Sequence, residues 1–335
     1  MLSTLRPVQP PTSSSSRVPA RVGLVGNPSD GYGGAVLAAI VDDLAATVRA
    51  TPIDRGVRLS NDTIGTVAWP STAAFDDELS TAGHATGHRI VTASLQALGR
   101  HLGFLPAASI EWSSTIPRSV GLAGSSAIAV AVIEAVAELA GRRLDPRVVA
   151  ALALDAETTG LGIPAGWQDR IVQAHRGAVL VDAGETTVVD GVDVPVVGRL
   201  PALDLPTVVA WREQDAEESG AYHADLRRRA DGDELAAAMT ALAEVARRAA
   251  DSVARGEQRE LIEAVGTSWA LRASSMPLGP LHEQLVEAAR VGDAVATSPG
   301  SGGSVVAMAA DGGSLTAAVA ALQRVGAEVL HVRLR

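Results

Sequence analysis

The sequence predicts a two-domain chain of mixed α+β class, and three observations carry that prediction. The chain has 335 residues, and domains run to about 150 residues each. Runs with strand-like alternation are interleaved with longer runs of helical period, both before and after residue 200. Hydrophobic residues make up 47% of the chain and aromatic ones 3%, so a core is available from Ala, Val and Leu.

Along the chain, residues 1–19 read as a disordered tail: prolines precede Ser13–Ser16 and little there can pack. Order is expected from Ala20. Arg21–Val25 alternates into a short strand and then turns through Gly26–Gly31. Val36–Val41 and Ala45–Arg49 read as two further strands. Gly87–Leu98 has helical period, Ser109–Ser113 suits a strand, and Ser125–Leu139 is a helix apolar on nearly every side, hence deeply buried. Pro146–Glu157 is a second helix and Asp169–Ala174 lies on a third, followed by strands at Ala178–Val181 and Val192–Val197. The pattern then shifts, placing a domain boundary near residue 200 (domains 20–200 and 201–335). The second domain reads as strand Thr207–Trp211, helices Gly232–Gly256, Gln258–Ser275 and Pro280–Val291, a strand near Ala294, strand Val305–Met308, helix Leu315–Val325 and strand Glu328–Leu334.

Composition excludes several chemistries. All 28 basic residues are Arg, Cys is absent, and 38 acidic residues leave a net charge of −10. Without Cys there is no disulfide, thiolate nucleophile or Cys-ligated zinc. Without Lys there is no Walker A loop and no Schiff base. Any phosphate must be met by Arg, backbone N–H groups, a helix dipole or a metal ion. The acidic balance argues against nucleic acid or an anionic membrane as partner. No apolar run reaches the ~18 residues of a membrane span, and no apolar leader is visible near Met1, so a cytoplasmic protein is expected.

Three glycine-rich loops carry the chemistry. Pro117-Arg118-Ser119-Val120-Gly121-Leu122-Ala123-Gly124-Ser125-Ser126-Ala127 runs directly into the buried helix. Such a loop lets backbone approach a phosphate at a helix N-terminus; taken alone it equally suits a capped helix start packed by small residues. Ser298-Pro299-Gly300-Ser301-Gly302-Gly303-Ser304 lies between strand-like segments and taken alone also suits an ordinary turn. Gly26-Asn27-Pro28-Ser29-Asp30-Gly31-Tyr32-Gly33-Gly34 follows the first strand, with Asp30 either a turn former or a ligand for sugar hydroxyls.

In this order the three loops resemble the motifs of the GHMP kinase superfamily, over the chain from about Ala20 to its end. Within it the sequence looks most like the glucuronokinases. The supporting strings are Leu24–Asp30, Ile116-Pro117-Arg118, Gly124–Ile128, Ala165-Gly166-Trp167-Gln168-Asp169-Arg170 with Gln173, Ser219-Gly220, Leu271-Arg272 and Gly300–Gly303. Four positions depart from the family pattern: Ala123 and Gly124 in the second loop, Pro299 where a Thr is usual, and Ala221 where a basic residue is usual.

The resemblance implies a two-domain fold, with a ribosomal-protein-S5-domain-2-like first domain and a ferredoxin-like second one. It implies ATP and Mg²⁺ as cofactors and a small sugar or sugar acid as substrate, D-glucuronate first, phosphorylated at its anomeric hydroxyl. A neutral-sugar kinase of galactose or heptose type, an isoprenoid kinase and an inactive sugar- or nucleotide-sensing regulator are the alternatives. By the same resemblance Asp169 is the catalytic acid–base group and Arg21 its charge partner. Pro117, Gly121, Leu122, Ala123, Gly124, Ser125, Ser126 and Ala127 hold ATP phosphates, with Gly300, Ser301, Gly302 and Gly303 closing beside the nucleotide. Ser125 and Glu157 are the Mg²⁺ ligands. Asn27, Asp30 and Gly33 meet sugar hydroxyls, and Arg118 and Arg272 are candidates for a uronate carboxylate. Trp167 could line the sugar site or, like Trp211, simply pack. His84 and His88 read as a solvent-exposed pair rather than zinc ligands, and Arg227-Arg228-Arg229 as a solvated run.

Overall fold

The computed structural model describes residues 11–84, 87–213 and 232–335. Among them, eleven strands join one mixed sheet. The first two carry the site: β1 (Ser14–Val25) and β2 (Ala35–Pro52). They are followed by β3 (Val57–Asn61), β4 (Gly65–Trp69) and β5 (Ala108–Ser114), then β6 (Val179–Val189), β7 (Val192–Arg199) and β8 (Leu203–Trp211). The last are β9 (Val295–Thr297), β10 (Ser304–Met308) and β11 (Glu328–Leu334). The main path runs β4-β3-β5-β2-β11-β8-β10-β9, with β1 and β6 also on β2 and β7 on β6. Only β3 and β5 run parallel among these pairs. The C-terminal strand β11 lies between β2 and β8, so strands from both halves of the chain share the sheet.

The helices are α1 (Thr72–Ala82), α2 (Arg89–Leu102), α3 (Gly124–Leu139), α4 (Pro146–Asp155) and α5 (Gln168–His175) in the first half. In the second half they are α6 (Asp233–Ala254), α7 (Gln258–Ser275), α8 (Pro280–Ala289) and α9 (Gly312–Arg324). As expected, α3 is buried nearly all round and packs on β1 and β2 at the centre of the larger core. A second core lies among β8, β9, β10, α8, α9 and Trp269 of α7.

Order begins earlier than the sequence suggested. Residues 1–10 lie outside the described residues, but Ser14–Pro19 is the first half of β1. The serines there are polar yet satisfied: Ser14 Oγ donates to the Ala135 carbonyl and Ser16 Oγ to the Glu134 carboxylate, both at 2.6 Å on α3. The two strands expected at Val36–Val41 and Ala45–Arg49 are one. Asp42, Asp43 and Leu44 drop out of the pairing between Pro19 and Ala20 of β1, a bulge placed where proline has no N–H to donate.

Three elements escaped the periodicity altogether. β3 and β4 form a short polar hairpin, and α1 is a weakly amphipathic helix started by Ser71, whose hydroxyl accepts the Ala74 N–H at 3.0 Å. Phe75 of α1 packs edge-on against Trp69 at 5.0 Å. Finally, the helix expected to reach Glu157 leaves α geometry at Asp155 and widens into a π-helical turn, Ala156–Gly160. Such turns are common where a side chain must be re-aimed.

Candidate active site

β1 delivers Arg21 to the centre of the molecule. Its guanidinium is buried and makes three contacts: Nε donates to Asp169 Oδ1 at 2.6 Å, and Nη1 donates to the carbonyls of Gly121 at 2.7 Å and Pro299 at 2.9 Å. One side chain therefore joins the second glycine loop, the third glycine loop and the first turn of α5. Asp169 retains 22% side-chain exposure, so it faces both the arginine and the solvent side.

The second loop turns into α3 through Ala123, which sits in the left-handed region at φ 62°. No side chain caps this helix start, whereas Ser71, Asp145 and Asp311 cap α1, α4 and α9. The first N–H groups of α3, at Gly124, Ser125 and Ser126, thus stand where an anion is favoured. Gln173 of α5 braces the turn by donating to the Ala123 carbonyl at 2.9 Å and to the Pro19 carbonyl at 3.1 Å. The third loop packs on the second with no room for side chains. A Cβ on Gly300 would lie 2.3 Å from the Gly121 carbonyl oxygen, and one on Gly121 would lie 2.7 Å from that of Gly302. Ser304 Oγ adds a 2.5 Å bond to the Val120 carbonyl.

The π-helical turn points Glu157 inward, 2% exposed. Its two oxygens have different partners: Oε1 accepts from Ser125 Oγ at 2.7 Å, and Oε2 accepts from Arg170 through both Nε, at 2.6 Å, and Nη2. The Ser125 hydroxyl and the Glu157 carboxylate make a pair of hard oxygen donors beside the start of α3, a set that suits Mg²⁺ completed by phosphate oxygens and water. Among the described residues no group of three or more His, Cys, Asp or Glu could hold a metal by itself. Burial opposes the Arg170 charge, but Glu157 and Asp169 raise its guanidinium above the ordinary arginine value.

Asp30 is held by the residue that precedes Asp169. Its Oδ2 accepts the Gln168 backbone N–H at 2.8 Å, and a Cβ on Gly166 would come within 2.6 Å of the same oxygen. Burial pushes this carboxyl up to about 6, against the lowering effect of the Gln168 N–H. Nearby, Asn27 has a buried Nδ2 without a hydrogen-bond partner. Gly33 lines a cleft of about 370 Å³ closed by Leu235, Met239 and Arg247 of α6.

Arg272 takes a different position from the carboxylate-binding one the resemblance implied. It is 2% exposed, and its Nη1 and Nη2 donate to the carbonyls of Ser298 at 2.8 Å and Gly300 at 2.6 Å, bracing the third loop from behind. Arg118 is exposed on the second loop. Trp167 is half-buried at the start of α5, and Trp211 packs in the core. His88 corrects the expectation of an exposed histidine pair. It is buried, takes the Trp112 indole N–H on Nδ1 at 2.9 Å, and, like half-buried His84, is lowered by burial below the ordinary histidine value. Ser219, Gly220, Ala221 and Arg227–Arg229 lie outside the described residues.

The structure brings Arg21 to Asp169 and Ser125 to Glu157, and it joins the two pairs through Arg170, to which sequence reasoning gave no role of its own. Its sequence signal is its place beside Asp169 at the end of the string Ala165–Arg170.

Residues 89–177 match the family model described as GHMP kinases N terminal domain. Two proteins of Arabidopsis thaliana, a probable glucuronokinase 2 and glucuronokinase 1, are each 28% identical over 312 residues, covering 88% of this chain and 84% of theirs. The galactokinase of Lactococcus lactis, solved in complex with galactose, superposes with a TM-score of 0.78 at 16% identity, over 97% of this chain and 94% of that one. The fold shared with it is the two-domain α+β arrangement expected from the sequence.

Proposed function

We propose that this chain, a GHMP-type phosphotransferase acting on a hydroxyl group, uses ATP to phosphorylate the anomeric hydroxyl of a sugar acid, D-glucuronate first. The observation that carries this reading is the placement of Asp169 and Arg21 beside the uncapped start of α3. A proton acceptor and an anion-binding helix end then face one space, as phosphoryl transfer to a hydroxyl requires. The likeness to glucuronokinases along most of the chain supports the choice of acceptor.

In this reading, the N–H groups from Gly121 to Ser126 hold the β- and γ-phosphates, and Gly300–Gly303 closes against them. Ser125 and Glu157 would hold Mg²⁺, which supplies charge neutralisation at the phosphate oxygens. Asp169 takes the proton from the attacking hydroxyl. Arg21 holds Asp169 ionised and aimed, and its positive charge lies close to the charge that develops on the transferred group. Asn27, Asp30 and Gly33 meet sugar hydroxyls, and Arg118, exposed on the second loop, meets a uronate carboxylate.

The test is ADP release measured across uronic acids and neutral aldoses, with the phosphorylated position read by NMR. Turnover at least tenfold faster with D-glucuronate than with galactose is expected. Turnover with neutral aldoses alone would overturn the acceptor.

A further inference from the structure

The reaction proposed above gives work to Asp169, Arg21, Ser125 and Glu157, and none to Arg170. Yet Arg170 is 4% exposed and has every arm of its guanidinium engaged. Nε and Nη2 both donate to Glu157 Oε2, while Nη1 donates to the Gly166 carbonyl at 2.8 Å and lies 3.6 Å from Asp169 Oδ2. A buried charge of this kind is costly unless its geometry is well satisfied. A mere surface partner for Asp169 would have no reason to be buried.

Two consequences follow from the contacts. A glutamate side chain can rotate about its terminal bond, and the two N–H groups on Oε2 stop that rotation. They leave Oε1, the oxygen bonded to Ser125, as the one free to meet a ligand. The third arm fixes the Gly166 carbonyl, one turn before Asp169, in the segment whose Gln168 N–H also holds Asp30. A lysine has one compact ammonium and cannot place two donors on one oxygen and a third on a carbonyl in fixed planar geometry.

On the reading of the site given above, we propose that Arg170 is a positioning residue for phosphoryl transfer. By gripping Glu157 Oε2 and the Gly166 carbonyl together, it aims Glu157 Oε1 at the Ser125 side and locks the turn that presents Asp169 to Arg21.

The experiment compares the parent chain with Arg170→Lys, Glu157→Gln, the double variant and Asp169→Ala. ADP release is measured with ATP and D-glucuronate, or with the neutral aldose the sugar panel selects. Arg170→Lys keeps the charge but not the fork, so its melting temperature falls by a few degrees while the chain stays folded, its KM for the sugar stays within about twofold, and kcat falls at least about tenfold. Because two of its three N–H donors act on Glu157, the losses are far from multiplicative and the double variant runs within about threefold of Glu157→Gln alone. Calorimetric titration with ADP reads the same point without turnover: the tightening of ADP binding by Mg²⁺ shrinks at least about threefold in Arg170→Lys. Parent-like kcat in Arg170→Lys, losses that multiply in the double variant, or an undiminished Mg²⁺ effect would each overturn the proposal. Should Arg170→Lys not fold, Glu157→Gln/Arg170→Gln removes both buried charges at once and is read against Glu157→Gln in the same way. Asp169→Ala separates the two readings. If it turns over at the parent rate, the assignment of the reaction to this site fails; if it is inactive while Arg170→Lys is parent-like, only the role of Arg170 fails.

Discussion

The Nε of Arg21 lies 2.6 Å from Oδ1 of Asp169, a contact between residues 148 positions apart. The same guanidinium takes the Gly121 and Pro299 carbonyls, so a single β1 side chain sets the distance between a carboxylate and two glycine loops.

This arrangement predicts different losses for its two ends. Asp169→Ala removes a proton acceptor at the partly exposed end and should lower turnover by about 10²–10⁴. Arg21→Met takes one donor from each of the Gly121 and Pro299 carbonyls and from Asp169, so it should lose turnover and also destabilise the fold by about 3 kcal/mol. Urea midpoints alongside ADP-release rates check this; Arg21→Met with parent stability would contradict it.

Asp30 makes stability depend on pH. Its carboxyl is raised from 3.8 to about 6, chiefly by burial, so the folded chain holds this proton more tightly than the unfolded one. The contribution is present below about pH 4 and is lost as pH rises through about 6. Asp30→Asn removes the titration, so the variant should gain on the parent between pH 4 and pH 7 by up to about 3 kcal/mol. Urea unfolding at both pH values measures the gap; an equal gap at each would refute the assignment.

Ala123 holds a left-handed conformation, φ 62° and ψ 43°, with its carbonyl fixed by Gln173. Its Cβ makes that conformation cost roughly 1 kcal/mol or more. Ala123→Gly should therefore raise the melting temperature, by a free energy of about 0.5–1 kcal/mol after the added freedom of the unfolded chain is discounted. Ala123→Val should lower it. Thermal melts of the two variants suffice, and the opposite order would rule out the strain.

Gly300 has backbone where a side chain would go, 2.3 Å from the Gly121 oxygen. Gly300→Ala must push the second and third loops apart, which costs about 1–3 kcal/mol. Because those loops flank the proposed phosphate site, ADP should bind more weakly, by about tenfold or more. Calorimetry reads the effect; unchanged ADP affinity would separate this contact from nucleotide binding.

Much of the architecture was legible because its signals are local. The buried helix α3 announced itself by an apolar run without a polar face, and β11 matched its expected bounds, Glu328–Leu334. What escaped lacked local contrast. The hairpin β3–β4 is short and half polar, and Ser14 and Ser16 look like tail residues until α3 supplies their acceptors. The site divides in the same way. Asp169 and Ser125 could be picked out because they lie in short motif strings, and Arg21 and Glu157 because they stand at short spacings from such strings.

By itself, then, the sequence determined that the chain has no lysine and carries three glycine loops in a set order on an α+β frame. Only the tertiary structure decided which arginine does what. Arg272, expected at the substrate, braces Ser298 and Gly300 from inside; Arg170, given no role by the sequence, is buried on Glu157; Arg21 reaches Pro299, 278 residues away. The physical reason is that turns and periodicity arise from neighbours within a few residues. The partner of a long cation is set by whichever acceptors the packed elements bring into its reach.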